Sequence, residues 1–460
     1  MHVHHPNQTR AIRRDAVGPT CAHASVQAAT VASTGAFCFG YALGVVNGPL
    51  YNMAQAVHAK DAASASWIVG ASLLGACAGS AIASAVADAQ GRKKAMAVAA
   101  LPMIAGPMAS AIATTYPCMV GGRAVLGVGI GMASALVPLY LSEVSPTQLR
   151  GQLGSFNQLA ICMGILGALM VNAVVGQAGW RIAVAIGIVP AAALLLACAI
   201  IPESPRWLNR EGREGEALVA ARRLWGEDAE AELGVSHADV DKPSNEGMSW
   251  KAAILNRKTR VALGKGAVLF LLQQFAGINA IVFFSTAVFE RAGMTSGAMA
   301  SATVGLVNVL GTFFASRMID RAGRKPLLAS SFAMMGASMM FMAVGVGWTP
   351  LQAFSGVIAL MGTLVYVFGF AIGAGPVPSL LMPEILPASV RGKGVSLAML
   401  THWISNFAVG QLFLPTVERV GLASVYFGFA VVCMCGVVFI GRAIQETTGL
   451  SLEQIEEGPA

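Results

Sequence analysis

Apolar residues run through this chain in stretches long enough to cross a bilayer, separated by short polar loops. A spanning helix needs about 20 mostly apolar residues. Twelve stretches fit, at 27–53, 65–87, 96–114, 117–142, 152–176, 182–201, 261–289, 296–319, 327–347, 352–383, 394–417 and 421–441. From Pro326 to Pro383 there is no charged residue. The pattern changes once, at 203–258, where Glu203, Arg206, Arg210, Glu211, Arg213, Glu214 and Glu216 follow in quick succession. Within it Glu216 to Arg222 reads as an amphipathic surface helix. The predicted organisation is a tail over 1–25, a six-helix bundle over 26–202, a water-exposed helical linker over 203–258, a second six-helix bundle over 259–443 and a tail over 444–460.

The two halves carry matching segments. Asp88-Ala89-Gln90-Gly91-Arg92-Lys93 recurs as Asp320-Arg321-Ala322-Gly323-Arg324-Lys325, each between two long uncharged stretches. Glu143 precedes Arg150-Gly151 by the same spacing that separates Glu384 from Arg391-Gly392. Such duplication marks a secondary transporter built from two copies of one unit. The glycine of the hexapeptide suits a tight turn. Its aspartate, Asp88 or Asp320, is expected to accept backbone N–H groups at the start of the next helix. Glu143 and Glu384 end long helices, where a negative charge opposes the helix dipole and needs a cationic partner. The candidates are Arg92, Arg150, Arg324 and Arg391. Such pairs either latch the two halves together or brace each half internally.

Composition narrows the class. The chain is 55% apolar and 12% charged, where a soluble domain carries about 25% charged residues. This is an all-α, polytopic membrane protein whose partner is the lipid bilayer. The net charge of +7 does not indicate nucleic acid, because the basic residues sit in short loops. Arg92, Lys93, Lys94, Arg150, the 203–258 segment, Arg321, Arg324, Lys325, Arg391, Lys393 and Arg442 fall on one side of an alternating topology. By the positive-inside rule that side is the inner one, and both termini share it. Arg10, Arg13 and Arg14 in the pre-membrane segment are compatible with a short organellar targeting signal. Six cysteines (Cys38, Cys77, Cys162, Cys198, Cys433 and Cys435) lie in apolar runs and form neither a disulfide framework nor a metal pattern. His2, His4 and His5 read as a tail. No metal or cofactor is expected, and no nucleophile–base pair suggests an enzyme.

Polar residues inside the spans point to the substrate. They are Gln158 in the fifth span, Gln273, Gln274 and Asn279 in the seventh, Asn308 in the eighth, and Trp403 and Asn406 in the eleventh. Amides in hydrocarbon must find partners. Bonding between helices accounts for about 0.6 kcal/mol each. Amides also donate and accept at once, as sugar hydroxyls require, and an indole face packs on a sugar ring. Gly277 in the seventh span, with Gly373, Gly375, Pro376 and Pro378 in the tenth, predicts discontinuous helices that gate access. No Asp, Glu or Lys falls in the middle of any span. His402 is the one central titratable candidate noted, read as a neutral, hydrogen-bonded ring.

These motifs carry a family resemblance over nearly the whole chain. Asp88 to Lys94, Arg150-Gly151, Pro202-Glu203-Ser204-Pro205-Arg206-Trp207, Gln273 to Asn279, the second aspartate–glycine–arginine copy and Gly375-Pro376-Val377-Pro378 resemble the sugar-porter family of the major facilitator superfamily. Phe39 to Gly48, Gly373 to Glu384 and His402 to Phe407 look like plastidic glucose transporters of plants and green algae. The resemblance implies a facilitative hexose carrier of the plastid inner envelope, or of a plasma membrane, functional as a monomer. It implies that Gln158, Gln273, Gln274, Asn279, Asn308 and Asn406 bind hydroxyls and that Phe39 and Trp403 line the cavity. It also implies that Asp88, Arg92, Glu143, Arg150, Asp320, Arg324, Glu384 and Arg391 form an inner-face charge network. There are departures. Ala42 stands where proton-coupled members carry an aspartate, which favours uniport over a proton–sugar symporter. Phe283 and Phe284 replace the paired tyrosines of the outer gate, so closure should rely on packing. Ala371 and Ser379 replace a glutamate and a tryptophan of human-type facilitators. The C-terminal proline–glutamate–threonine motif survives in part as Gln445 to Gly449. A non-transporting sugar sensor is the remaining alternative.

Overall fold

The computed structural model describes residues 19–59, 61–146, 150–230, 232–233, 249–387 and 390–447. Among these, eleven helical segments are long and apolar enough to cross a membrane. Pro19–Gly44 precedes them as the first span. The following spans are Ala62–Gln90, Arg92–Ile112, Tyr116–Val144, Arg150–Val175 and, in two pieces, Trp180–Ile186 with Ile188–Ala197. The second half holds Arg257–Phe275 with Ile278–Arg291, Gly297–Ala322, Arg324–Gly347, Ser355–Gly369 with Val377–Ile385, Arg391–Val420 and Leu422–Ala443. The architecture is the expected pair of six-helix bundles, joined along two seams: the second span against the eleventh, and the fifth against the eighth.

Small residues set how closely the helices approach. A Cβ on Gly75 or Gly79 of the second span would lie 2.1 Å from Ala124 O or 2.0 Å from Val128 O. On the facing fourth span, a Cβ on Gly127 or Gly131 would lie 2.1 Å from Ser72 O or 2.0 Å from Ala76 O. In lipid there is no hydrophobic drive between helices, so this reciprocal backbone contact supplies the packing.

One span differs from the sequence expectation. The first span was expected over 27–53, but its helix stops at Gly44 and a separate short helix, Leu50–Ala56, follows. Gly48 at φ +107° and Pro49 break it. The tenth span, expected to be discontinuous near Gly373 to Pro378, contains a π-helical turn at Phe370–Ala374. Its wide turn is closed by Gly375 N–H donating to Phe370 O at 2.8 Å. The linker helix Glu214–Trp225 is water-exposed on one face only. Its Ala217, Ala221, Leu224 and Trp225 are buried, and Trp225 Nε1 donates to Val144 O at 2.9 Å. That fastens the linker to the end of the fourth span. Residues 234–248 of the linker lie outside the described residues.

Candidate functional site

The seventh and tenth spans are interrupted where the sequence placed their helix breakers, and a chain of amides fills the interruption. Gly277 takes a left-handed conformation, φ 101°, between the two pieces of the seventh span. Asn279 Nδ2 donates to Gln274 Oε1 at 2.5 Å. Gln274 Nε2 donates to Gln273 Oε1 at 3.2 Å and lies 2.8 Å from His402 Nδ1. Gln273 Nε2 donates to Ala374 O at 2.5 Å, in the broken part of the tenth span. Ser331 completes the repair, donating to Gly369 O at 2.6 Å and accepting from Ala374 N–H at 2.8 Å. Backbone groups freed within a membrane must be satisfied, and Gln273 and Ser331 satisfy these. With Nδ1 accepting from Gln274, the His402 proton sits on Nε2, matching a neutral, hydrogen-bonded ring. Gly375, Pro376 and Pro378 follow the π-helical turn. Gly375 has an ordinary φ of −71°, so its value lies in the missing side chain: a Cβ there would lie 3.0 Å from the Phe370 ring.

Around this chain the other candidates divide by partner. Phe39 of the first span and Trp403 of the eleventh meet across the bundles with ring centroids 5.7 Å apart. Among the described residues Gln158 is bonded to the Cys162 sulfur, at 3.8 Å. Three of these candidates hold a buried polar atom with no hydrogen-bond partner among the described residues: Asn308 Oδ1, Trp403 Nε1 and Asn406 Oδ1. A buried polar atom without a partner costs about 1–3 kcal/mol. Two acceptors and one donor therefore carry that cost in this state, the donor on Trp403 of the aromatic pair.

The face opposite the basic loops is closed by contacts between the halves. Asn47 Nδ2 donates to Ser285 Oγ at 2.7 Å, and Thr286 N–H donates to Asn47 Oδ1 at 3.0 Å. Asn172 holds Asn47 in place by donating to its carbonyl at 2.7 Å. Beside them Phe283 and Phe284 are buried, and Phe284 stacks on Phe413 with centroids 5.0 Å apart. This ring stacking lies within the second bundle, and Asn47 supplies the polar contact that crosses from the first. Asn47 and Asn172 were not singled out from the sequence, although each is an amide in or beside an apolar run, the signal that found the others. Asn47→Ala removes two buried hydrogen bonds between the halves, about 1 kcal/mol each. The variant should shift the balance of open states roughly 30-fold toward opening on this face. Labelling of a cysteine placed at Val304, compared with and without the substitution, reads the shift.

On the basic face the two halves repeat one arrangement, which differs from the expectation in two ways. Asp88 does not cap the next helix. Glu203 accepts Arg92 N–H at 2.9 Å and Lys93 N–H at 3.2 Å, and Glu446 accepts Arg324 N–H and Lys325 N–H at 3.0 Å each. The reason is Gly91, at φ 88°, and Gly323, at φ 87°. A Cβ on either would meet the capping carboxylate, at 2.3 Å from Glu203 Oε2 or 2.8 Å from Glu446 Oε2. Asp88 instead accepts from Arg92 and Arg210. Nor does the latch join the halves. Arg92 makes a bidentate pair with Glu143, at 2.8 and 2.9 Å, and Arg324 lies 3.7 Å from Glu384. Both pairs brace one bundle internally. Arg391 donates to Leu386 O at 3.4 Å. The side chains of Arg150 and Asp320 lie outside the described residues.

Two six-helix bundles, two interrupted helices carrying buried amides and a face closed between the halves define a secondary transporter of the major facilitator type. The family model described as sugar (and other) transporter matches residues 28–458. The chain belongs to this sugar transporter family, and it transports sugar by alternating access. It is 43% identical over 429 residues to plastidic glucose transporter 4 of Arabidopsis thaliana, covering 93% of this chain and 79% of that protein. It is 32% identical to the galactose-proton symporter of Escherichia coli, covering 93% and 92%. Among solved structures it superimposes on the inward-open xylose transporter XylE from E. coli with a TM-score of 0.81 at 26% identity, covering 94% of this chain and 99% of that one. XylE bound to 6-bromo-6-deoxy-D-glucose gives the same score, covering 95% and 99%.

Proposed function

We propose that this protein is a facilitative hexose carrier for a glucose-like sugar, bound between the bundles by Gln158, Gln273, Gln274, Asn279, Asn308 and Asn406 with Phe39 and Trp403 against the ring. The observation that carries the reading is the set of partnerless buried atoms, Asn308 Oδ1, Trp403 Nε1 and Asn406 Oδ1, in a family that carries sugars. Closure on the face opposite the basic loops is what an inward-facing stage of alternating access requires. Uniport is favoured by Ala42, which supplies no carboxylate in the first span, and by His402, whose Nδ1 is taken by Gln274. The plastidic relatives support an inner-envelope location, and the monomer contains a complete site. Binding should be weak, since a 1 mM dissociation constant is about 4 kcal/mol and release must be quick.

Counterflow of labelled sugars into proteoliposomes tests the class. Glucose-driven exchange without external alkalinisation is expected, and sugar-induced alkalinisation would make the protein a proton symporter instead. Gln273→Ala should abolish uptake in a hexose-transport-deficient host. Unchanged uptake at normal expression would refute the site.

A further inference from the structure

Arg123 is a cation inside the membrane that the transport site does not use. It lies in the fourth span, toward the closed face, and is 1% exposed. Its Nε donates to Ile68 O at 3.0 Å, and its Nη2 donates to Ser72 Oγ at 3.3 Å and Ala42 O at 3.4 Å. The Ser72 hydroxyl proton is already given to Val69 O at 2.7 Å. Every acceptor around the guanidinium is therefore neutral. Nη1 has no partner. The ion pairs seen among the described residues use Asp88, Glu143, Glu216, Glu230 and Glu384, and none of them reaches Arg123.

The surroundings offer a place for the missing charge. Arg123 lines a small cavity with Cys38, Ala42, Met103, Leu126 and Val184, in which the centre of a water-sized guest has about 10 Å³. That is room for one small guest. Tyr41, also on the wall, spends its hydroxyl on Ala183 O at 2.7 Å. Water would relieve the unbonded N–H groups but leave a positive charge in an apolar medium. An anion relieves both, because a charge in low dielectric gains most from an opposite charge at contact. The apolar wall favours a weakly hydrated monoatomic ion, and the volume excludes carboxylates and sulfate.

We infer that Arg123 and this cavity form a halide site in which chloride serves as the counter-ion of the buried guanidinium, tying the first, second and fourth spans together. The occupant stabilises the first bundle and does not touch the sugar.

The test uses the purified full chain in detergent and reads thermal unfolding, so its outcome is independent of sugar transport. At constant ionic strength, chloride and bromide should raise the unfolding midpoint saturably relative to gluconate. At a hundred-fold excess over its dissociation constant the halide should favour the folded state about 100-fold. Ala42→Asp supplies a carboxylate beside the guanidinium and should remove the halide effect. Because that variant places a new charge in the core, radiolabelled chloride binding to the unaltered protein provides the second measurement. Saturable binding displaced by bromide and not by gluconate is expected. Equal midpoints in chloride and gluconate, no saturable binding, or an undiminished effect in Ala42→Asp would overturn the assignment.

Discussion

Gln274→Ala should abolish sugar transport while the protein still reaches the membrane. Gln274 is the hub of the amide chain: it accepts from Asn279 Nδ2, donates to Gln273 Oε1 and meets His402 Nδ1. Truncation leaves three buried groups without their partner. At about 1 kcal/mol each the loss is about 3 kcal/mol, or roughly 100-fold in a binding or rate constant. The break is also structural in one direction only. Gln273 keeps its bond to Ala374 O, so the tenth span retains its shape and the chain should express. Gln274→Glu separates the hydrogen-bond role from the volume. A carboxylate still accepts from Asn279 but cannot donate to Gln273 or His402. Its protonated form regains one donor, so exchange by this variant should rise as the pH falls, and the parent should show no such rise. Counterflow across a pH series checks this. Wild-type activity in Gln274→Ala, or a Gln274→Glu profile that follows the parent, would remove Gln274 from the site.

Much of this was legible because membrane physics is strict. Hydrocarbon length fixes the spans, and a polar atom in lipid must have a reason, so Gln273, Gln274, Asn308, Trp403 and Asn406 stood out against their neighbours. What escaped was whatever depends on which helix comes next to which. The duplicated Asp88 and Asp320 looked like helix caps because each precedes a helix in sequence. Glu203 and Glu446 arrive at the Gly91 and Gly323 turns from the other end of their bundles, a proximity no local pattern encodes. The altered C-terminal motif looked like a loss, yet its Glu446 keeps the contact that Glu203 makes in the first half. Arg123 was missed for a different reason. It stands outside the Asp, Glu, Lys and His set that marks ion coupling, an arginine among the glycines and valines of the fourth span. The inter-bundle latch failed because two acids and two arginines in each half can be paired several ways. Only packing selects Arg92–Glu143 and Arg324–Glu384.

The two halves repeat their charge pairs without repeating their strength, and Arg92→Ala should destabilise the protein far more than Arg324→Ala. The Arg92 side chain is 2% exposed and Glu143 13%, with two contacts under 3 Å. Removing one member of a buried pair leaves an uncompensated charge and costs about 3–5 kcal/mol. The Arg324–Glu384 contact is longer, 3.7 Å, with side chains 18% and 25% exposed. Thr447 also donates its hydroxyl to Glu384 at 2.5 Å, so this acid keeps a partner when Arg324 is gone. A more solvated pair contributes about 1 kcal/mol or less. Thermal unfolding in detergent should therefore place Arg92→Ala well below Arg324→Ala, and Arg92→Ala/Glu143→Ala should recover part of the loss, because no charge is left stranded. The asymmetry bears on transport. The looser brace lies in the bundle whose seventh and tenth spans are interrupted, where helix pieces must move as the sugar passes. If Arg324→Ala proves the more destabilising, or the double variant recovers nothing, the brace of the first bundle is not the stronger one.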